Sequence, residues 1–378
     1  MSTDLVGHAR QRRTALTLAL RPSVWRSALV ADVDRLALAA PVRVGVAVGS
    51  TLVVGGLLGH HGVAGLAALG ALVAAFCRTA PYRVRAERLT ALGIGIVASV
   101  AIGAVLGLTA APLTVEIATL SLLGGLVALG VAALQVTGPG AVVFVFAATA
   151  ATVFTRDAAD LAVAVAATSL GAVAGVVASL APDLWRRVRG RPDTNAPHES
   201  SWVILVRRPP VDLLNNSVRI VGATALSAAI AAWVGFAHPM WAALGALAAM
   251  QGLSYHLTVQ RGVQRLLGSA VGALIGAGLL MSGVGYWGSV AAIVACLITA
   301  EIWAPVNYAV TSMAVTPMAL LLTALGAGLS ADAAVDRVAD TLIGVVVGVV
   351  VAALTISTDE HPGGTRSTRE DSAAADNT

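Results

Sequence analysis

The chain contains no lysine. A phosphate-binding loop of the Walker type needs one to reach the nucleotide phosphates, so ATP is not the direct energy source of this chain. It also lacks a Gly-x-Ser-x-Gly elbow and any His/Cys cluster at metal-ligand spacing, which excludes the corresponding hydrolase and zinc readings. Its two cysteines, Cys77 and Cys296, lie in or at the end of apolar stretches, so neither a disulfide nor a metal site is expected. The expectation is a chain that is not an enzyme and needs no cofactor. Charge is scarce as well: 12% of residues are charged against 57% hydrophobic, and the mean hydropathy is +0.84. A water-soluble domain of 378 residues has no single core that could hide so much apolar surface.

What is present is a succession of apolar runs. A span needs roughly 20 apolar residues to cross about 30 Å of hydrocarbon, and about twelve such stretches can be placed between residues 41 and 355. They are continuously apolar, not alternating, so helices are expected and not a β-barrel. The runs are duplicated. Val42-Arg43, Ala67 to Leu72, and Tyr82 to Arg88 are answered about 175 residues later by Val218-Arg219, Ala242 to Leu247, and Tyr255 to Arg265. Thr168, Gly171 and Gly175 are matched by Thr341, Gly344 and Gly348. The expected fold is therefore all-α and membrane-embedded: two parallel six-helix repeats related by a pseudo-twofold axis along the membrane normal. The expected organisation is a leader at 1–38, amphipathic or disordered; a first repeat at 39–182; a linker at 183–212; a second repeat at 213–356; and a disordered tail at 357–378.

Arginine supplies all 24 basic residues. Most precede the first stretch or follow even-numbered ones, as Arg78, Arg83, Arg85 and Arg88 do, whereas Arg156 is the main exception. The positive-inside rule then puts both termini in the cytoplasm of a bacterial inner-membrane protein. The sequence pI of about 9.7 thus reports topology and contact with anionic lipid, and no nucleic-acid partner is expected.

Gly95, Ser99, Gly103 and Gly107 form one small-residue stripe, and Gly268, Gly272 and Gly276 another. Such stripes let helix backbones approach closely, or, on a functional reading, bring the third and ninth stretches to a central seam that admits a solute. Gly344 and Gly348 carry the same alternatives. Arg43 and Arg219, a turn inside their stretches, either snorkel or ring a path for an anion, with Asn215 and Asn216 as further donors. Asp332, Asp336 and Asp340 form a stripe beside Arg337. Asp340, the deepest, and Glu301 are candidates to carry a coupling proton or to pair with an arginine. His60, His61 and His238 fall in equivalent outer connections, as solvated loop residues or sensors of external pH.

The second half then resembles a known family. His238-Pro239-Met240-Trp241-Ala242-Ala243, Gln251, Thr258, Arg261, Arg265, Leu267-Gly268-Ser269 and Gly272-Ala273 are similar to the central motif of the FUSC, or fusaric acid resistance protein-like, membrane proteins. The resemblance implies kinship with aromatic acid exporters and, more distantly, plant aluminium-activated malate channels, in which six-helix units pair around a central anion path. Ser269 stands where that family usually has threonine, and Gly62-Val63-Ala64 replaces the His-Pro-x-Trp element in the first half. Gating by a large cytoplasmic domain is not expected. The expected function is export of a small organic anion such as an aromatic carboxylate, bound by Arg43, Arg219, Arg265, Asn215 and Trp241, from a chain that is a possible homo-oligomer. A passive anion channel and a non-transporting scaffold for envelope biosynthesis are the alternatives.

Overall fold

The structure, a computed structural model, describes residues 17, 39–78, 80–189, 200–207, 209–251, 255–327 and 333–355. Nearly all of the leader, Asp332, the tail and part of the linker lie outside these residues. The described residues form helices and no strands. In chain order they are α1 (Ala39–Leu57), α2 (His61–Ala71, continued by a 3₁₀ turn over Leu72–Ala75), α3 (Tyr82–Leu108), α4 (Leu113–Ala133), α5 (Val142–Phe154), α6 (Ala158–Val188), α7 (Ser201–Val206), α8 (Val211–Val234), α9 (Met240–Ala249), α10 (Tyr255–Met281), α11 (Gly285–Trp303), α12 (Tyr308–Ala327) and α13 (Ala333–Leu354).

Eight of these, namely α3, α4, α6, α8 and α10 to α13, are long and apolar enough to cross a membrane. The chain is a multi-pass membrane protein. Each apolar stretch read in the sequence becomes a helix, but α2, α5 and α9, with 11, 13 and 10 residues, fall short of a full crossing length. At 1.5 Å per residue a helix of 10 residues such as α9 spans about 15 Å, half the hydrocarbon thickness. Every residue of α9 is buried, so it meets protein and not lipid.

The two halves pair their helices alike. In the first, α3 packs on α5 and α6, and α2 on α6; in the second, α10 packs on α12 and α13, and α9 on α13. The halves meet at the flanks through α1 with α11 and α4 with α8, and centrally through α2 with α12, α5 with α9, and α5 with α12. Lipid-facing side chains are apolar too, so this packing draws on close approach more than on the hydrophobic effect. Gly344 sits where an added Cβ would lie 2.2 Å from the Ala242 carbonyl oxygen, and Gly103 where one would lie 2.0 Å from that of Ala148. Gly268 and Gly272 abut the Ala309 and Met313 carbonyls in the same way, while Gly95, Gly276 and Gly348 meet neighbours less closely. The two stripes thus serve packing within each half: on α3 and α10, the third and ninth stretches, they face α5 and α12 and not the seam between halves.

The linker region also departs from a plain connector. Helix α6 continues through Pro182 to Val188, and α7 is tied back by the Glu87 carboxylate of α3, which accepts from the Ser200 hydroxyl and, at 2.8 Å, from the Ser201 backbone N–H. Asp183 pairs at 2.5 Å with the buried Arg85, so the end of α6 is anchored to the start of α3.

Candidate functional site

Because α2 and α9 stop short, space opens beyond their ends. A cavity of about 1020 Å³ lies there between the halves. Leu72 and Ala75 line it after α2, Gln251 after α9, and the remaining wall comes from the α4–α5 connection over residues 135–141, the last turns of α4 and α11 and the first turns of α5, α8, α10 and α12. The wall is mostly apolar, with Arg78, Arg261, Arg265, Asp212 and Glu301 as its charged members. At the opposite ends of α2, α5 and α12 the seam narrows to a pocket of about 30 Å³ lined by apolar and small residues, among them Leu66, Leu69, Phe154 and Leu322. The space between the halves is wide at the arginine-rich end and narrow at the other.

The cavity's charges have specific partners. Arg78 reaches across the halves: its Nη2 lies 2.7 Å from Glu301 Oε2, and its Nη1 donates to the Glu301 carbonyl at 3.3 Å. The chain reaches Arg78 through Cys77, whose φ of 56° is a left-handed conformation, and the Cys77 N–H donates to the Thr137 carbonyl at 2.9 Å. Gln251 links the halves as well, donating to the Pro139 carbonyl at 3.2 Å and accepting from Arg261 at 3.5 Å. The Arg261 guanidinium lies over the Tyr308 ring, 5.4 Å from its centroid. Arg265 is 2% exposed and its Nε has no hydrogen-bond acceptor among the described residues. With Glu301 occupied by Arg78, the deep wall presents Arg261 and Arg265, a cationic end to an apolar chamber. Such a site suits an organic anion whose carboxylate meets a guanidinium fork while its body stays on apolar wall.

The other sequence candidates fall elsewhere. Arg43 and Arg219 are half-buried and line no part of the cavity. Arg43 donates to the carbonyls of Ser179 and Arg78 at 3.4 and 3.3 Å, and Arg219 to that of Ala352 at 3.5 Å. Both therefore brace the final helix of their half, and Arg43 also holds the segment that carries Arg78. Asn215 is exposed, whereas its neighbour Asn216 lines the cavity. Trp241 is 4% exposed and away from the cavity wall, stacked on His238 at 4.3 Å with Arg337 5.0 Å above its ring. Asp340 is fully buried on α13. His61 stacks on Tyr286 at 3.9 Å, joining α2 to α11 at the narrow end.

Sequence reasoning found Arg265 and Glu301 but read Arg78 only as a topological charge. Its partner is 223 positions away, and no local pattern announces a pair at that separation. Arg261 and Gln251 were visible within the family-like motif, without a role.

Residues 226–351, a third of the chain, match the family model described as fusaric acid resistance protein-like. The matched stretch runs from α8 into α13 and so contains Gln251, Arg261, Arg265, Glu301, Arg337 and Asp340. No curated protein and no solved structure matches the chain.

Proposed function

We propose that this protein is a FUSC-family transporter that exports small organic anions, aromatic carboxylates among them, through the seam between two six-helix halves. The observation that carries the reading is the cavity of about 1020 Å³ at that seam, mostly apolar and cationic where Arg261 and Arg265 meet it. The matching helix pairs in the two halves support twelve membrane-inserted segments, three of them short, arranged as parallel repeats about a pseudo-twofold axis. The arginine-rich end of the cavity then faces the cytoplasm of a bacterial inner membrane, with both termini on that side. An anion enters from the cytoplasm, seats its carboxylate on Arg265 and Arg261, and leaves once the apolar constriction around Phe154 and Leu322 opens.

The test is efflux of benzoate from liposomes containing the purified protein, with and without imposed pH and voltage gradients. Saturable flux that falls about 10- to 100-fold in Arg265→Gln is expected, the range that corresponds to one lost charged hydrogen bond. Flux that persists at the wild-type rate in Arg265→Gln and Arg261→Gln overturns the assignment of the site. Unsaturable, voltage-following currents replace the exporter with a channel. Absence of flux for a panel of carboxylates favours a scaffold.

A further inference from the structure

Two opposite charges sit inside the second half without pairing. Asp340 is fully buried, and neither of its carboxylate oxygens has a hydrogen-bond donor among the described residues. Arg337, three positions earlier on α13 and 3% exposed, leaves its Nε and Nη1 equally without acceptors and lies over Trp241 instead. Among the described residues no ion pair joins the two. A buried carboxylate in that state is costly, so its charge must be offset by a nearby cation or by a proton.

The first half shows that packing does not require these charges. In the register set by Thr168 and Thr341, and by Gly171 and Gly344, Ala164 and Ala167 stand where the second half has Arg337 and Asp340. Both alanines are buried, and α6 packs on α2 as α13 packs on α9. The same helix pair is thus built once with alanines and once with a buried Arg and Asp.

The helices packed on α13 are α8, α9 and α10, and the charged groups they bring toward Asp340 are few. Its own helix contributes Arg337 and Asp336. From α10 comes Arg265, whose charge acts on Arg337. Helix α9 carries no ionisable group except where His238 precedes it, facing Asp336 and Arg337. Helix α8 contributes Arg219, which is engaged at the far end of α13 by the Ala352 carbonyl. Arg265 therefore belongs to two sites: it lines the cavity, whereas Arg337 and Asp340 do not.

We propose that Asp340 is a proton-binding site inside the second half, separate from the cavity that takes the anion, and that an anion seated on Arg265 draws a proton onto it. This rests on the anion-transport reading for its second clause only. The reasoning is electrostatic. Arg337 acts on Asp340, and Arg265 acts on Arg337, so the three charges share one low-dielectric interior. An anion in the cavity offsets the Arg265 charge and makes that interior less positive, which favours the protonated form of Asp340. Linkage is reciprocal, so the proton in turn tightens the anion. His238, half-buried on the Trp241 ring, stands between this cluster and the end of the bundle away from the cavity, and gives the proton a way in that avoids the anion path.

Two measurements on the full chain in detergent test this. The first is an infrared pH titration of wild type and Asp340→Asn. A protonated-carboxyl band that titrates in the wild type and is missing from the variant is expected, and its absence from the wild type over the whole pH range of folded protein overturns the proton site. The second is calorimetry of benzoate binding in buffers of different ionisation enthalpy. Proton uptake on binding is expected in wild type and none in Asp340→Asn, with binding roughly 10-fold tighter in acid for the wild type alone, equivalent to about 1.4 kcal/mol. Benzoate binding with no proton uptake overturns the linkage. An Asp340 band without benzoate binding overturns the substrate assignment and leaves the proton site standing. If Asp340→Asn does not fold, the double variant Arg337→Ala/Asp340→Ala, which copies the first half, replaces it in both measurements.

Discussion

At the scale of single residues, the seam depends on Arg78 and Glu301. Glu301 is buried and Arg78 half-buried on the cavity wall, and removing one leaves the other charged and unsupported. Arg78→Gln and Glu301→Gln are each expected to cost about 3–5 kcal/mol, and the double variant to recover a large part of that, because a buried pair broken on one side is worse than no pair. Detergent melts of the four proteins in a double-mutant cycle check this. A double variant whose loss equals the sum of the two single losses would show that the side chains do not act together. His238 adds a pH dependence. Burial lowers its pKa below the ordinary 6.5, with the charge of Arg337 acting in the same direction and Asp336 against it. The unfolded chain then takes up the proton first as pH falls. This contribution to stability is therefore complete above about pH 6.5 and declines below it. His238→Gln should flatten the acid side of the stability profile.

At the scale of helices, small residues decide which pairs form. Gly344 lets α13 touch the α9 backbone, so Gly344→Leu is expected to lower the melting temperature sharply, by the several kcal/mol that overpacking at a backbone contact costs. Gly278, on α10, has nothing within 4 Å of its added Cβ. Gly278→Ala should be neutral or stabilise by up to about 1 kcal/mol through helix propensity. A melt that fell equally in both variants would show that glycine composition, and not the close approach, matters. The stripes were legible as spacing, but their partners were not. The sequence reading allowed α3 and α10 to meet at the seam, whereas each stripe faces a helix of its own half. A period of four residues marks the face of a helix and carries no information about what covers it.

For the molecule as a whole, the arrangement predicts one-sided access. With both native cysteines replaced, a cysteine at Ala132 or Thr137 on the cavity wall should react with a membrane-impermeant thiol reagent applied to the arginine-rich side, and one at Leu322 should react slowly from either side. Equal labelling of Leu322→Cys and Ala132→Cys from both sides would remove the narrow end. The positions of apolar stretches, their duplication and the grouping of arginines were all determined by the sequence alone, because lipid imposes its demand on each segment separately: enough apolar length, and charges kept near one end. Which stretches cross fully was decided only in the tertiary structure. Helices α2 and α9 are as apolar as their neighbours yet stop halfway, because surrounding helices cover them and the cavity occupies the remaining depth. The same holds for charge. Arg43 and Arg78 look alike in a list of basic residues, but one is spent on backbone carbonyls and the other on a carboxylate from the opposite half. Pairings between residues hundreds of positions apart depend on how the helices pack, and local composition does not encode that.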